Sequence, residues 1–279
     1  MTTGYQASPP PSNAPGRLSQ SLLRLAVLSL LCLALTACSS KNERETRSGV
    51  DELYKYGTRS LNNGNYSNSI QYLEALEARY PFSNKAKQAQ LDLIYAYYRN
   101  GDDAQAIDSA IQFERENPTH PRVDYALYMR GLAQFSSQHN TILRLLRVDL
   151  AKRPPVEARE SFSSFAQLVR RFPDSVYAED ARQRMIFLRN RLAAHELIVA
   201  DYYMRRGAWA AALNRARYVI ENYDGSPGVA QALDMMSQAY GKLGMRDLSV
   251  DTRSVLEENY PDRKFKQYGD ARAKPFFFF

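Results

Sequence analysis

The amino-acid sequence predicts an all-α fold, a superhelix of five helix pairs, and three observations of spacing support this. Glycines stand 37 residues apart twice, at Gly64 and Gly101 and again at Gly207 and Gly244. A proline or an aspartate follows each of these glycines by 17 residues. Small and aliphatic side chains recur at fixed offsets between the two marks. Because four copies agree, the pattern indicates stacked helical hairpins, each of which needs its neighbours to bury its apolar face.

Each repeated position has its own physical role. The glycine supplies the turn between two helices, where a positive φ is often needed. A small residue five positions later lets the second helix approach the first, and offsets of six and twelve give that helix its apolar stripe. The last position ends the helix, because proline has no amide hydrogen to continue it. The small residues are Ser69, Ala106, Ala212 and Ser249, each followed by an aliphatic residue, and the terminating residues are Pro81, Pro118, Asp224 and Pro261.

These units resemble the tetratricopeptide repeat, a pair of antiparallel helices of about 34 residues, so we expect a tetratricopeptide-repeat superhelix. Two units depart from the common spacing. In the third, a first helix at 122–138 is followed by an insertion at 139–155, and the second helix resumes near Val156. In the fourth, neither glycine nor proline occurs between Val176 and Arg206. That stretch predicts one long first helix that projects beyond the repeat stack.

A secretory segment precedes the repeats. Arg17 and Arg24 stand before an apolar run at 25–37, which is typical of a signal peptide and shorter than the roughly 20 residues of a permanent membrane span. Small residues followed by Cys38 resemble the lipobox of bacterial lipoproteins. The resemblance implies that residues 1–37 are removed and that Cys38 is lipidated. The alternative is an ordinary signal peptide in which the cysteine occurs by chance.

The residues after the cysteine bear on location and charge. Residue 39 is serine and not aspartate, which by resemblance to lipoprotein sorting rules favours transfer to the outer membrane over retention in the inner membrane. We therefore expect an anchored protein that faces the periplasm. Residues 38–49 are polar and predict a flexible tether. Loss of the two signal arginines lowers the net charge from +7 to +5, a mild excess that argues against a dedicated nucleic-acid binder.

The sequence offers little for catalysis. His120, His139 and His195 have no partner at the spacing of a metal site, and no nucleophile elbow, phosphate-binding loop or dinucleotide-binding glycine pattern is present. With Cys32 in the removed segment and Cys38 carrying lipid, no thiol chemistry remains. We therefore predict no enzyme activity, no metal and no cofactor beyond the covalent lipid.

Several motifs are more specific than the repeat positions. They are RYPF at 79–82, LDLIYAYY at 91–98, NPTHP at 117–121, YMRGL at 128–132, and RGAW at 206–209 with Asn214-Arg215. Together they resemble the BamD family, the lipoprotein subunits of the machinery that assembles β-barrel outer-membrane proteins. The resemblance covers nearly the whole mature chain. Only the tail at 269–279, which ends in Phe276–Phe279, departs from the family pattern.

The resemblance implies two binding surfaces. The half at 50–138 would hold an unfolded outer-membrane protein by its aromatic C-terminal segment, with Tyr80 and Phe82 as aromatic contacts and Arg115 paired with a carboxylate. The half at 156–268 would dock on the periplasmic POTRA domains of the subunit BamA. The residues implied for that contact are Arg206, Trp209 and Arg215. Other Bam lipoproteins and the inner leaflet of the outer membrane would be the remaining partners.

Alternatives remain open from the residues alone. Trp209 is equally interpreted as a core residue, and Arg206 and Arg215 as solvated or intramolecular ion-pair partners. The phenylalanine tail would either occupy the client groove of its own or a neighbouring molecule, or be a membrane-contacting or disordered tail. A peptidoglycan-associated lipoprotein or a pilotin-like lipoprotein would carry the same kind of repeats.

Overall fold

The computed structural model describes residues 49–136 and 155–268, and within these ranges it contains ten α-helices and no strand. Each helix packs against the next one along the chain. The predicted fold class is therefore confirmed, with five helix pairs. The helices are α1 Val50–Asn62, α2 Tyr66–Arg79, α3 Ala86–Asn100, α4 Asp103–Glu116, α5 Val123–Ser136, α6 Val156–Arg171, α7 Ala178–Arg205, α8 Trp209–Asn222, α9 Val229–Lys242 and α10 Arg246–Asn259.

The turn glycines adopt the backbone conformation that the sequence predicts. Gly64, Gly101, Gly207 and Gly244 have φ values of 73°, 87°, 73° and 78°. Gly101, for example, ends α3 in the left-handed region and directs its amide toward carbonyls of the last turn. Side chains other than glycine are strained there, so these positions fix where each hairpin reverses.

Two clusters of buried apolar residues form the core: the first core cluster lies between α1, α2 and α3, and the main core cluster extends from Leu91 of α3 to Tyr268. First helices of neighbouring pairs also contact one another. Helix α1 contacts α3, α3 contacts α5, and α7 contacts α9, in addition to the contacts within each pair. In the third pair the backbone approach is close, because a Cβ at Gly131 of α5 would lie 2.5 Å from the ring of Phe165 in α6. The carbonyl of Gly131 also accepts a hydrogen bond from the buried Ser161 hydroxyl at 2.9 Å.

The long first helix of the fourth pair is confirmed as α7, which has 28 residues. Its expected projection beyond the stack is wrong. Leu188, Leu192, Leu197 and Met204 are all buried in the main core cluster, because α6 covers one side of the helix and α8 covers another. The additional turns therefore join the third and fourth pairs.

The last pair departs from the repeat pattern. Val250 is the aliphatic residue that follows Ser249, so the repeat pattern predicts that it lies in the buried stripe of α10. It is 63% exposed, and Leu256 is the only buried residue of this helix. Ser249 is half-buried and donates a hydrogen bond to the carbonyl of Ser237 at 2.8 Å. The stripe is exposed because no described helix follows α10 to cover it.

Several predictions fall on residues outside the described ranges. They are the signal peptide at 1–37, lipidation at Cys38, nearly all of the tether and of the insertion loop, and the tail at 269–279. Over residues 49–136 and 155–268, the structure contains no helix with both the length and the apolar character needed to cross a membrane.

Candidate protein-binding sites

The loop between α2 and α3 contains the two aromatic residues predicted to contact a client. Tyr80 closes the end of α2, where its amide donates to the carbonyl of Leu76 at 2.8 Å, and its side chain packs partly against the first core cluster. Phe82 is fully exposed. The two aromatics therefore differ, since Tyr80 holds the loop and Phe82 is free to contact another molecule.

Arg115 lies in the last turn of α4, with its side chain exposed. Within the described part of the chain, no hydrogen bond or ion pair links its guanidinium to Tyr80 or Phe82. The three predicted client residues are thus in the same half of the molecule, but they do not form a contact cluster. A client that used all of them would have to span the surface of the first two pairs.

A row of tyrosine–carboxylate contacts connects the first helices. The Tyr54 hydroxyl donates to Asp92 at 3.1 Å, and the Tyr128 hydroxyl donates to Asp180 at 2.8 Å. The Tyr128 ring also stacks on Tyr177, with ring centroids 4.7 Å apart. Burial, together with the adjacent carboxylates, raises the pKa of Tyr54 and of Tyr128 to about 12. Both hydroxyls therefore stay protonated donors that fix the alignment of neighbouring pairs.

The predicted partner-docking half contains a buried carboxylate held by two arginines. Glu196 of α7 has a side chain only 2% exposed, and it accepts from Arg159 of α6 at 3.2 Å and from Arg215 of α8 at 2.9 Å. The two arginine side chains are 50% and 46% exposed. One buried negative charge therefore joins three helices, and two guanidinium groups extend from it to the surface.

Arg206 and Trp209 lie at the junction of α7 and α8, each with its own intramolecular contact. The exposed Arg206 guanidinium stands 4.7 Å from the ring centroid of Tyr202. Trp209 packs partly against the main core cluster, and the Lys242 ammonium lies 5.8 Å from the centroid of its ring. With Arg215 paired to a carboxylate, each of the three predicted docking residues has a structural role of its own.

The acidic partners in these contacts were missed by the sequence reasoning. Glu196 lies within the long helix, where the sequence gives it the role of a packing or solvated residue. It stands four residues after Leu192 and four before Ala200, both buried, so helical periodicity was the signal that would have placed it on the buried face. Asp92 and Asp180 carried no comparable signal.

A metal site needs several histidine, cysteine or carboxylate side chains close together. Among the residues of the ten helices and their described connections, no three such side chains come together.

The chain is similar to known proteins of the bacterial outer membrane. A family model described as "Outer membrane lipoprotein" matches residues 47–256. The "Outer membrane protein assembly factor BamD" of Neisseria meningitidis serogroup A is 42% identical over 241 residues, which cover 84% of this chain and 90% of the relative. The protein of that name from Vibrio cholerae serotype O1 is 39% identical and covers 86% and 98%. The chain belongs to the BamD family.

The family match covers almost all of the described residues. The matched residues run from just before α1 into α10, and they include all six client and partner positions named from the sequence. Cys38 and the segment after α10 lie outside the match. The resemblance found in the motifs is therefore confirmed for the repeat domain.

Proposed function

We propose that the chain is a lipid-anchored scaffold of the machinery that assembles β-barrel outer-membrane proteins, and that it acts by binding polypeptides and not by catalysis. The observation that carries the proposal is the shared name of its relatives, outer membrane protein assembly factor, over nearly the whole repeat domain. That name favours this function over the peptidoglycan-associated and pilotin-like alternatives. Cys38 would carry the lipid that tethers the scaffold to the outer membrane, facing the periplasm.

The client surface would lie on the first two pairs. Phe82 offers an uncovered aromatic ring beside the anchored Tyr80, and covering a phenylalanine side chain is worth about 1.5–3 kcal/mol. Arg115 would pair with the terminal carboxylate of an unfolded client, for which its planar guanidinium is suited. An extended client segment that ends in an aromatic residue matches this combination of ring and cation.

The surface for BamA would lie around Arg215. Two guanidinium groups surround the single carboxylate of Glu196, so the cluster has one positive charge in excess, and both guanidinium groups are about half-exposed. Each guanidinium keeps donors that Glu196 does not use. An acidic patch on the POTRA domains would therefore complement this corner, with Arg206 and Trp209 beside it.

The test is a pull-down of the lipid-free mature chain on the periplasmic domains of BamA. Arg215→Gln removes one cation without adding a second carboxylate beside Glu196, and it should reduce capture about tenfold, as expected for loss of one charged hydrogen bond. Arg170→Gln, the same change at an exposed position of α6, is the matched control and should bind like wild type.

The outcomes separate the site from the function. Equal capture by wild type and Arg215→Gln would reject the docking residues and leave the scaffold function standing. Failure of the wild-type chain itself to capture BamA would reject the proposed function.

A further inference from the structure

The segment after α10 turns back over the fourth and fifth pairs. Residues 263–268, called the strap here, have no regular secondary structure. The Lys266 ammonium and the Tyr268 hydroxyl both donate to Asp201 of α7, at 2.9 Å and 2.5 Å. Tyr268 is buried and belongs to the main core cluster, while most of the strap is exposed.

A glutamine of α9 binds the main chain of the strap. The Gln238 amide nitrogen donates to the carbonyl of Lys266 at 2.9 Å, and the Gln238 amide oxygen accepts from the backbone amide of Tyr268 at 3.0 Å. Main-chain groups two residues apart lie on the same side of an extended chain. These two hydrogen bonds therefore recognise an extended backbone whatever its side chains.

The orientation of this glutamine is set from within the protein. Its amide nitrogen also donates to Asp234 at 2.7 Å, and Asp234 is buried with Arg253 at 3.4 Å. A carboxylate accepts hydrogen bonds, so the amide nitrogen must face it and the amide oxygen must face away. The donor and the acceptor are thus arranged for a peptide before any peptide is present, which reduces the ordering cost of binding.

The carboxylate at the other end of the strap selects particular side chains. Burial alone would raise the pKa of Asp201, but hydrogen bonds from Tyr268 and Lys266 and the charge of Arg205 lower it below its usual value. Asp201 is therefore ionised at neutral pH. It complements a phenol and an ammonium that are separated by one residue along an extended chain.

We propose that the face of α7 and α9 around Asp201 and Gln238 is a binding site for an extended segment of a partner polypeptide, and that the strap occupies it in cis. The partner segment presents a tyrosine two residues after a lysine or arginine. This site uses none of the residues assigned above to the client or to BamA. The strap is held mainly by one buried ring and a few hydrogen bonds, so it opens more readily than the helices beneath it.

The cis arrangement predicts competition. A tethered segment is present at a millimolar effective concentration, so the intact chain should bind a free copy of the strap weakly. A chain whose own strap is weakened should bind that copy more tightly, because a larger fraction of its sites is open.

The experiment measures the fluorescence anisotropy of a labelled peptide with the sequence of residues 261–268, amidated at its C-terminus, added to the full mature chain. Tyr268→Ala in the chain should increase affinity for the peptide at least about tenfold. Tyr268→Phe, which keeps the buried ring and loses only the hydroxyl, should give an intermediate increase. Lys264→Ala, at an exposed strap residue, is the matched control and should bind like wild type.

Two further variants test the chemistry of recognition. Gln238→Ala, added to Tyr268→Ala, should reverse the gain in affinity, and a peptide with alanine in place of its tyrosine should bind at least about tenfold more weakly. The proposal is overturned if Tyr268→Ala and Tyr268→Phe both keep the helical circular dichroism of the wild-type chain and neither binds the peptide more tightly. It is also overturned if loss of the Gln238 side chain leaves the affinity of the Tyr268→Ala chain unchanged.

Discussion

Glu196 allows a quantitative test, because its buried carboxylate is neutralised by two arginines from different helices. In Arg159→Ala or Arg215→Ala, the other guanidinium still pairs with the carboxylate. Each lost pair involves an arginine that is 50% or 46% exposed, so solvent weakens it. We expect each single substitution to lower the free energy of unfolding by about 1 kcal/mol, below the usual range for a hydrogen bond to a charged group.

The double substitution should cost more than the sum of the two. Glu196, whose side chain is 2% exposed in the intact protein, then has no cation beside it, and a buried charge without a partner costs about 3–5 kcal/mol. The difference between that value and the sum of the single losses, about 1–3 kcal/mol, is the coupling between the two arginines. Such coupling arises because they serve the same carboxylate.

Urea unfolding of the mature chain, followed by circular dichroism, measures these values. Arg182→Ala removes an exposed pair with Glu179 and should change stability by less than about 0.5 kcal/mol. Adding Glu196→Gln to the double variant should recover at least about 1 kcal/mol, because a neutral amide costs less to bury than an unpaired charge. Additive losses from Arg159→Ala and Arg215→Ala, within about 0.5 kcal/mol, would refute this reasoning.

Three further predictions concern other parts of the molecule. Gly131→Ala should destabilise the chain by about 1–3 kcal/mol in urea unfolding, because its Cβ would lie 2.5 Å from the Phe165 ring. Acidification should release the strap. The pKa of Asp201 in the folded chain lies below its ordinary value of 3.8. The stabilisation of the strap by Asp201 is therefore complete above pH 3.8 and is lost as the pH falls through the folded pKa. Protection of the Tyr268 amide against hydrogen exchange measures this loss. Phe82→Ala should leave stability within about 0.5 kcal/mol and should lower the affinity for a client C-terminal peptide about tenfold in calorimetry.

Each of these has a control and a contrary outcome. Gly49→Ala, where a Cβ meets no atom within 4 Å, should not destabilise the chain, and an unchanged stability of Gly131→Ala would contradict the close packing of α5 and α6. Asp201→Asn should abolish the pH dependence of the protection of the Tyr268 amide. Release of the strap by acid that persists in this variant would show that another group causes it. A client affinity unaffected by Phe82→Ala would remove the exposed ring from the proposed client surface.

The repeat architecture could be predicted from the sequence because it depends on local requirements of the backbone. A left-handed turn needs glycine, and Gly64 and Gly101 each have the positive φ that their spacing indicated. A stretch without glycine or proline before Arg206 gave the long helix in the same way. Family motifs such as LDLIYAYY then identified the relatives. None of these inferences required knowledge of which helix faces meet.

The partners of charged side chains were decided by the tertiary structure alone. Arg215 and Glu196 are 19 residues apart, and Tyr268 and Asp201 are 67 apart. Such contacts form only when packing turns particular helix faces toward each other, and no local pattern encodes that. The exposure of Val250 has the same origin, since its position in the repeat is ordinary and only the lack of a following described helix leaves it uncovered. Local geometry therefore set the order and length of the helices, whereas packing between distant segments set which charges are buried, paired and available for binding.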